Sequence, residues 1–120
     1  MASRNMSLSE EGKNILDQVA DLLDVDRPQA LKIALAKGIS ESNGAINVNY
    51  DVGKKWPIPD IIKDREYVLF KHLIFNELNE SLSDTELHKA MVSFMEHGLR
   101  LIKELHKNKT SMEDFRLMIL

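Results

Sequence analysis

The helical class of this chain is decided by residues 83–105, which read SDTELHKAMVSFMEHGLRLIKEL. The opening residues fit a capping box, in which Ser83 and Glu86 each accept a hydrogen bond from the other's backbone. Apolar residues then recur at helical spacing and define one face, made of Leu87, Met91, Phe94, Met95, Ile102 and Leu105. The pattern predicts a long amphipathic helix that ends near Asn108.

The beginning of the chain predicts a helical hairpin. Ser9 is a suitable N-cap for a first helix, whose apolar face runs from Ile15 to an end near Leu23. After a tight turn, Asp26 can cap a second helix, and Gly38 is expected to terminate it.

Residues 40–59 lack helical periodicity. Ile46, Val48 and Tyr50 alternate with asparagines, which predicts a short strand, and residues 54–59 read as a rigid, extended loop. A third helix is expected from about Asp60 to Leu78, with enough apolar surface to be buried on two sides. A second capping box at residues 110–113 predicts a short last helix.

These elements predict a mainly α protein. Residues 1–120 would form a single compact domain of about five helices, with an N-terminal hairpin like that of ribbon-helix-helix proteins and a short β segment in the middle.

Composition narrows the functional classes. The chain has no cysteine, which excludes disulfides, thiolate metal sites and thiol nucleophiles. Its start lacks the apolar run of a signal peptide, and no stretch approaches the roughly 20 apolar residues of a membrane span. We therefore expect a cytoplasmic protein without a membrane partner.

The residues needed for catalysis are not grouped. The histidines His72, His88, His97 and His106 are dispersed along two helices, and the glycines form no phosphate-binding loop. The paired carboxylates of Glu10 and Glu11 suit a helix N-terminus. We predict a protein that is not an enzyme and that holds no cofactor and no metal.

A stripe of cations is the better candidate site. The formal net charge is −3, so any nucleic-acid surface has to be local. Arg100, Lys103 and Lys107 lie at i, i+3 and i+7 on one helical face, and Lys109 extends the group. The stripe could follow a phosphate backbone. The alternative is a solvated surface in which nearby glutamates, Glu96 and Glu104, pair with the cations.

Lys54 and Lys55 beside Trp56 form a second basic group. Cations next to an aromatic ring suit contact with a nucleic acid. The alternative is that Trp56 anchors the loop in the core and the lysines are solvated.

The N-terminal segment offers a third possibility. In ribbon-helix-helix proteins, a strand before the hairpin pairs with the strand of a second copy and enters the major groove. Met6 and Leu8 would then face inward, with Arg4 and Ser7 toward the groove. The alternative is a plain helical hairpin, which is a common packing unit.

Apolar residues also bear on assembly. Met91, Met95, Phe70 and Phe75 offer more apolar area than one small core needs, and leftover apolar surface usually marks an interface. We expect a homo-oligomer.

Three stretches resemble the DndE family, the small proteins of bacterial systems that replace a DNA backbone oxygen with sulfur. The first is Met6-Ser-Leu-Ser, the second runs from Arg27-Pro-Gln-Ala to Ala36-Lys-Gly-Ile, and the third is Phe94-Met-Glu-His-Gly-Leu-Arg-Leu-Ile. The resemblance covers most of the chain in length and order. Where the family has His-x-x-Arg-Gly, this chain has Phe94 and His97 before Gly98, so the polar pair is altered.

The resemblance implies a helical tetramer without catalytic activity. It also implies binding to DNA, nicked duplex in particular, through lysines, together with partners among the other modification proteins. The first hypothesis is thus a non-catalytic DNA-binding accessory subunit of DNA sulfur modification (phosphorothioation), with Arg100, Lys103, Lys107, Lys109, Lys54 and Lys55 as contacts. The alternatives are a ribbon-helix-helix-like transcriptional regulator or antitoxin, and a protein–protein adaptor without nucleic-acid contact.

Overall fold

The computed structural model describes residues 6–42, 55–59 and 61–107. Its elements in chain order are strand β1 (Ser7–Ser9), helix α1 (Glu10–Leu23), helix α2 (Arg27–Ser40), strand β2 (Lys55–Pro57), helix α3 (Asp64–Leu78) and helix α4 (Asp84–Lys107). The mainly α class is confirmed. The described residues contain four helices rather than five, and the short helix expected from residue 110 lies outside them.

The N-terminal hairpin forms through the caps expected from its sequence. The Ser9 hydroxyl accepts a hydrogen bond from the Gly12 amide at 3.0 Å, and the Asp26 carboxylate accepts one from the Gln29 amide at 2.9 Å. Between the two helices, Asp24 adopts a left-handed conformation with φ 56°. This conformation ends α1 and turns the chain into α2.

Gly38 does not terminate α2, which continues to Ser40, so that prediction is wrong. Gly38 instead lies where α2 crosses α4, and a Cβ there would overlap the carbonyl oxygen of Phe94. Across the same contact, a Cβ on Gly98 would overlap the carbonyl oxygen of Ala34. The two glycines therefore let the two backbones touch, a role that helix-stop rules do not consider.

A two-stranded antiparallel sheet lies beside the start of α1 and the middle of α4. Leu8 in β1 pairs with Trp56 in β2, and the Ile58 amide donates to the Met6 carbonyl at 2.8 Å. Part of the expected loop, Lys55–Pro57, is thus a strand, because the ladder to β1 satisfies its backbone. The strand expected around residues 46–50 lies outside the described residues.

Helix α3 begins later than predicted, at Asp64 rather than Asp60. Residues 61–63 are not helical, and Ile62, only 1% exposed, enters the core ahead of the helix. Within α3 only Phe70 and Ile74 are fully buried. In a single copy of the chain the helix is buried on one side, not on two.

Helix α4 is the centre of the fold. Its capping box is confirmed: the Ser83 amide donates to the Glu86 carboxylate at 3.2 Å, and the Glu86 amide donates to the Ser83 hydroxyl at 3.3 Å. The apolar side of the helix, with Leu87, Met91, Phe94, Met95 and Ile102 all buried, forms the core with α1 and α2. Leu105 is only partly buried at its edge.

Candidate nucleic-acid interface

Arg100, the first cation of the predicted stripe, faces acidic groups rather than open solvent. Its guanidinium lies 2.8 Å from the Glu96 carboxylate, one turn back on α4, and 3.5 Å from the carboxylate of Glu11 on α1. The side chain is 26% exposed. The structure thus pairs Arg100 with glutamates, which is the alternative that the sequence left open.

Glu96 is the partner that holds Arg100 in place. Its side chain is completely buried, and its two oxygens accept hydrogen bonds from the Ser9 amide at 2.8 Å and the Ser9 hydroxyl at 3.2 Å. A buried carboxylate needs such donors, because burial without them would be very unfavourable. The positive end of the α1 dipole adds to the stabilisation.

The arrangement is a capping box shared between two helices. In a capping box within one helix, the third helical residue returns a carboxylate to the N-cap amide. Here that position is Gly12, which has no side chain, and Glu96 of α4 supplies the carboxylate instead. A Cβ on Gly12 would overlap the Glu96 carboxylate, so glycine makes the room.

Sequence reasoning missed this contact and treated Glu96 only as a possible surface partner of Arg100. One signal was present: Gly12 lies in the first turn of α1, where glycine weakens a helix and has no capping role. Such a glycine indicates close approach of another group. The sequence offered no sign that the group is a carboxylate 84 residues away.

The remaining cations of the stripe are less constrained. Lys103 is half-buried and makes no hydrogen bond or ion pair in the part of the chain that the structure describes. Lys107 is 59% exposed and lies 3.4 Å from Glu104, an exposed pair of the kind that contributes little. Lys109 lies outside the described residues. Lys103 and Lys107 are thus more available than Arg100 to a negatively charged ligand.

The second basic group is only partly described. Lys54 lies outside the described residues, and the backbone of Lys55 begins β2 directly opposite Ser9. Because Ser9 also bonds Glu96, the fold brings the start of β2 close to the Glu96–Arg100 pair. Trp56 is partly buried against the core, as expected of an anchor.

Strand β1 also bears on the ribbon-helix-helix alternative. Met6 and Leu8 are buried, as that alternative and a plain hairpin both require, and Ser7 is half-buried. The strand pairs with β2 of its own chain, whereas a ribbon-helix-helix strand pairs with that of a second copy. Arg4, the other candidate for groove contact, lies outside the described residues.

The described residues also bear on whether the chain has a metal site or a membrane-spanning helix. Among the described ranges, no three His, Asp or Glu residues are grouped so that they could hold a metal ion. No helix within these ranges is long and apolar enough to cross a bilayer. Comparisons with protein-family models, with curated proteins and with solved structures gave no match.

Proposed function

We propose that this protein is a non-catalytic DNA-binding subunit that serves a bacterial DNA sulfur-modification system in the cytoplasm. It contacts the phosphate backbone through lysines at the C-terminal end of α4, binds nicked duplex, and acts beside the other proteins of that system as a homo-oligomer. The system and its proteins are what the resemblance to the DndE family implies.

One observation carries the DNA-binding part of the proposal. The last two turns of α4 hold Lys103 and Lys107 on one face, and Lys103 is tied to no acidic residue in the described chain. A cation without an acidic partner among the described residues is available to a phosphate. Arg100, in contrast, serves Glu96 and Glu11, so the proposed contact surface begins at Lys103.

The position of β2 supports the same surface. Lys55 starts the strand that pairs with Ser9, and Ser9 is bonded to Glu96 one turn before Arg100. The start of β2 therefore lies about two helical turns of α4 before Lys103. Lysines contact phosphates as point charges without reading bases, which suits binding that depends on DNA structure rather than sequence.

A matched pair of charge reversals tests the proposal. Lys103→Glu changes the proposed surface, and Lys89→Glu makes the same change in net charge on an exposed residue near the other end of α4. Fluorescence anisotropy with intact and nicked duplexes should show that Lys103→Glu weakens binding about 10-fold while Lys89→Glu changes it less than about 2-fold. Equal effects of the two variants would mean that only total charge matters, and the surface would be misassigned.

A protein–protein adaptor is the second candidate, and one observation favours it. All three large apolar side chains that are exposed among the described residues, Val68, Leu69 and Leu73, lie on α3. Exposed apolar groups gathered on one element indicate a protein-binding surface, whether for a different protein or for a second copy of this chain. If the purified protein binds neither duplex at low salt, the adaptor function replaces the DNA-binding function.

A further inference from the structure

Helix α3 carries apolar residues on both of its sides, but the part of the chain that the structure describes covers only one. The inner side contributes Phe70 and Ile74 to the core, with Tyr67, Phe75 and Leu78 partly buried beside them. On the outer side Val68 is 50% exposed, Leu69 55% and Leu73 40%. We call Val68, Leu69 and Leu73 the α3 stripe. A helix that is apolar on two sides is normally buried on both.

The four residues for which the sequence predicts an interface, Met91, Met95, Phe70 and Phe75, do not provide one. Met91 and Met95 are fully buried, and Phe70 is 7% exposed, so all three belong to the core of the single chain. Phe75 is half-buried, with the Lys71 ammonium 5.7 Å from its ring centre. The large apolar side chains that are exposed in the described chain are instead those of the α3 stripe.

The charges that flank the stripe are opposite at its two ends. Arg65, in the first turn of α3, is exposed, and Glu80, just past the C-terminal end, is exposed as well. Neither makes a hydrogen bond through its side chain or an ion pair in the described chain. The helix dipole has the same polarity as these two charges, with partial positive charge at the N-terminal end and partial negative charge at the C-terminal end. A second α3 lying antiparallel would therefore place each Arg65 at the partner's negative end, beside Glu80.

We propose that the α3 stripe is an isologous interface with a second copy of this chain, formed by two antiparallel α3 helices about a two-fold axis. With the axis near residue 71, Leu69 of one copy packs against Leu73 of the other, and each Arg65 lies opposite residue 77 of the partner subunit, within about one helical turn of that subunit's Glu80. A two-fold interface doubles every such contact. The proposal does not depend on DNA binding, because no residue of the basic surface takes part.

The size of the surface sets the expected affinity. A 15-residue helix is about 22 Å long. Pairing two such helices buries less than the roughly 800 Å² per partner of a standard stable interface. Self-association is therefore expected in the range of about 1–100 µM, where dilution dissociates it.

Sedimentation of the full chain without DNA tests the proposal in two steps. The weight-average mass of the wild type should be at least about 1.5 times the mass of one chain at about 100 µM. Leu69→Glu with Leu73→Glu should lower that mass by at least about a third, and Asp21→Lys, a charge reversal on an exposed residue of α1, should leave it unchanged. Circular dichroism checks that each variant is folded. A monomeric wild type, or an assembly that the double variant leaves intact, would overturn the proposal.

Charge reversal then tests the orientation. Arg65→Glu alone should weaken self-association about 10-fold, because two like-charge contacts replace two ion pairs, and Glu80→Arg alone should do the same. The two changes together restore opposite charges and should return the affinity to within about 3-fold of the wild type. If the combined variant self-associates as weakly as either single variant, the antiparallel arrangement is wrong.

Discussion

Gly12 and Glu96 show how a single position can depend on a distant helix. In most helices, replacing glycine with alanine stabilises the fold by up to about 1 kcal/mol. In this protein the added methyl group would occupy the space of the Glu96 carboxylate, which two Ser9 donors and Arg100 hold in place.

We therefore expect Gly12→Ala to lower the free energy of unfolding by about 1–3 kcal/mol. Urea unfolding measures the change. Ala36→Gly, on the exposed side of α2, is the control and should show only the ordinary difference in helix propensity. A stabilised Gly12→Ala variant would contradict the contact between Glu96 and the start of α1.

Arg100 and Lys103 lie one turn apart but should contribute differently to stability. Arg100→Ala leaves the fully buried Glu96 without its cation and should cost about 2–4 kcal/mol. Lys103→Ala removes no ion pair and should cost less than about 1 kcal/mol. Thermal unfolding of the two variants would refute this assignment if their melting temperatures are equal.

Asp17 makes stability depend on pH. A hydrogen bond from Lys13, and then that from Arg27, lowers the pKa of the Asp17 carboxyl below its ordinary value of 3.8. Because the folded pKa is the lower one, the stabilisation is present above pH 3.8 and is lost as the pH falls below that value.

The melting temperature should therefore fall as the pH drops through and below 3.8, and Asp17→Asn should weaken that dependence. Asp21→Asn is the matched control, because Asp21 is exposed on the same helix and makes no ion pair in the described chain. Identical pH profiles for Asp17→Asn and the wild type would contradict the ion-pair role.

The crossing of α2 and α4 depends on small residues more than on apolar ones. Gly98→Ala should destabilise the protein by about 3 kcal/mol or more, because the new methyl group meets backbone, the Ala34 carbonyl, which has little freedom to move. Chemical denaturation would measure the loss. Wild-type stability in Gly98→Ala would show that the two helices are farther apart than described.

Local signals in the sequence predicted the elements better than their contacts. The caps at Ser9, Asp26 and Ser83 fixed three helix starts, because capping depends on residues within one turn. Gly38 was misassigned, because its role depends on Phe94 of another helix. The pairing of β1 with β2 was missed for the same reason, since a three-residue strand carries little pattern of its own.

For the candidate site, too, the sequence predicted positions along a helix but not contacts between helices. Helical spacing placed Arg100, Lys103 and Lys107 on one helix, where the structure also has them. Spacing could not show that Glu11, from α1, would approach Arg100, while Lys103 has no ion pair among the described residues. Which charge is neutralised depends on tertiary contacts between helices that a single sequence does not reveal.

At the scale of the whole molecule, the proposed DNA binding has to be reconciled with a negative net charge. The formal charge is −3, so repulsion from DNA has to be overcome by lysines that act together, and an oligomer multiplies them by symmetry. Binding of this kind releases counterions from the phosphates and weakens steeply as salt is added.

The salt dependence of DNA binding tests the central claim most directly. Anisotropy titrations on nicked duplex at several salt concentrations give the slope of log K against log salt, for the wild type and for Lys103→Glu with Lys107→Glu. We predict that the double variant binds more weakly and has a slope smaller by about 1–2 per chain. Unchanged affinity and slope, with at most a slightly lower melting temperature, would mean that the two lysines only stabilise the end of α4.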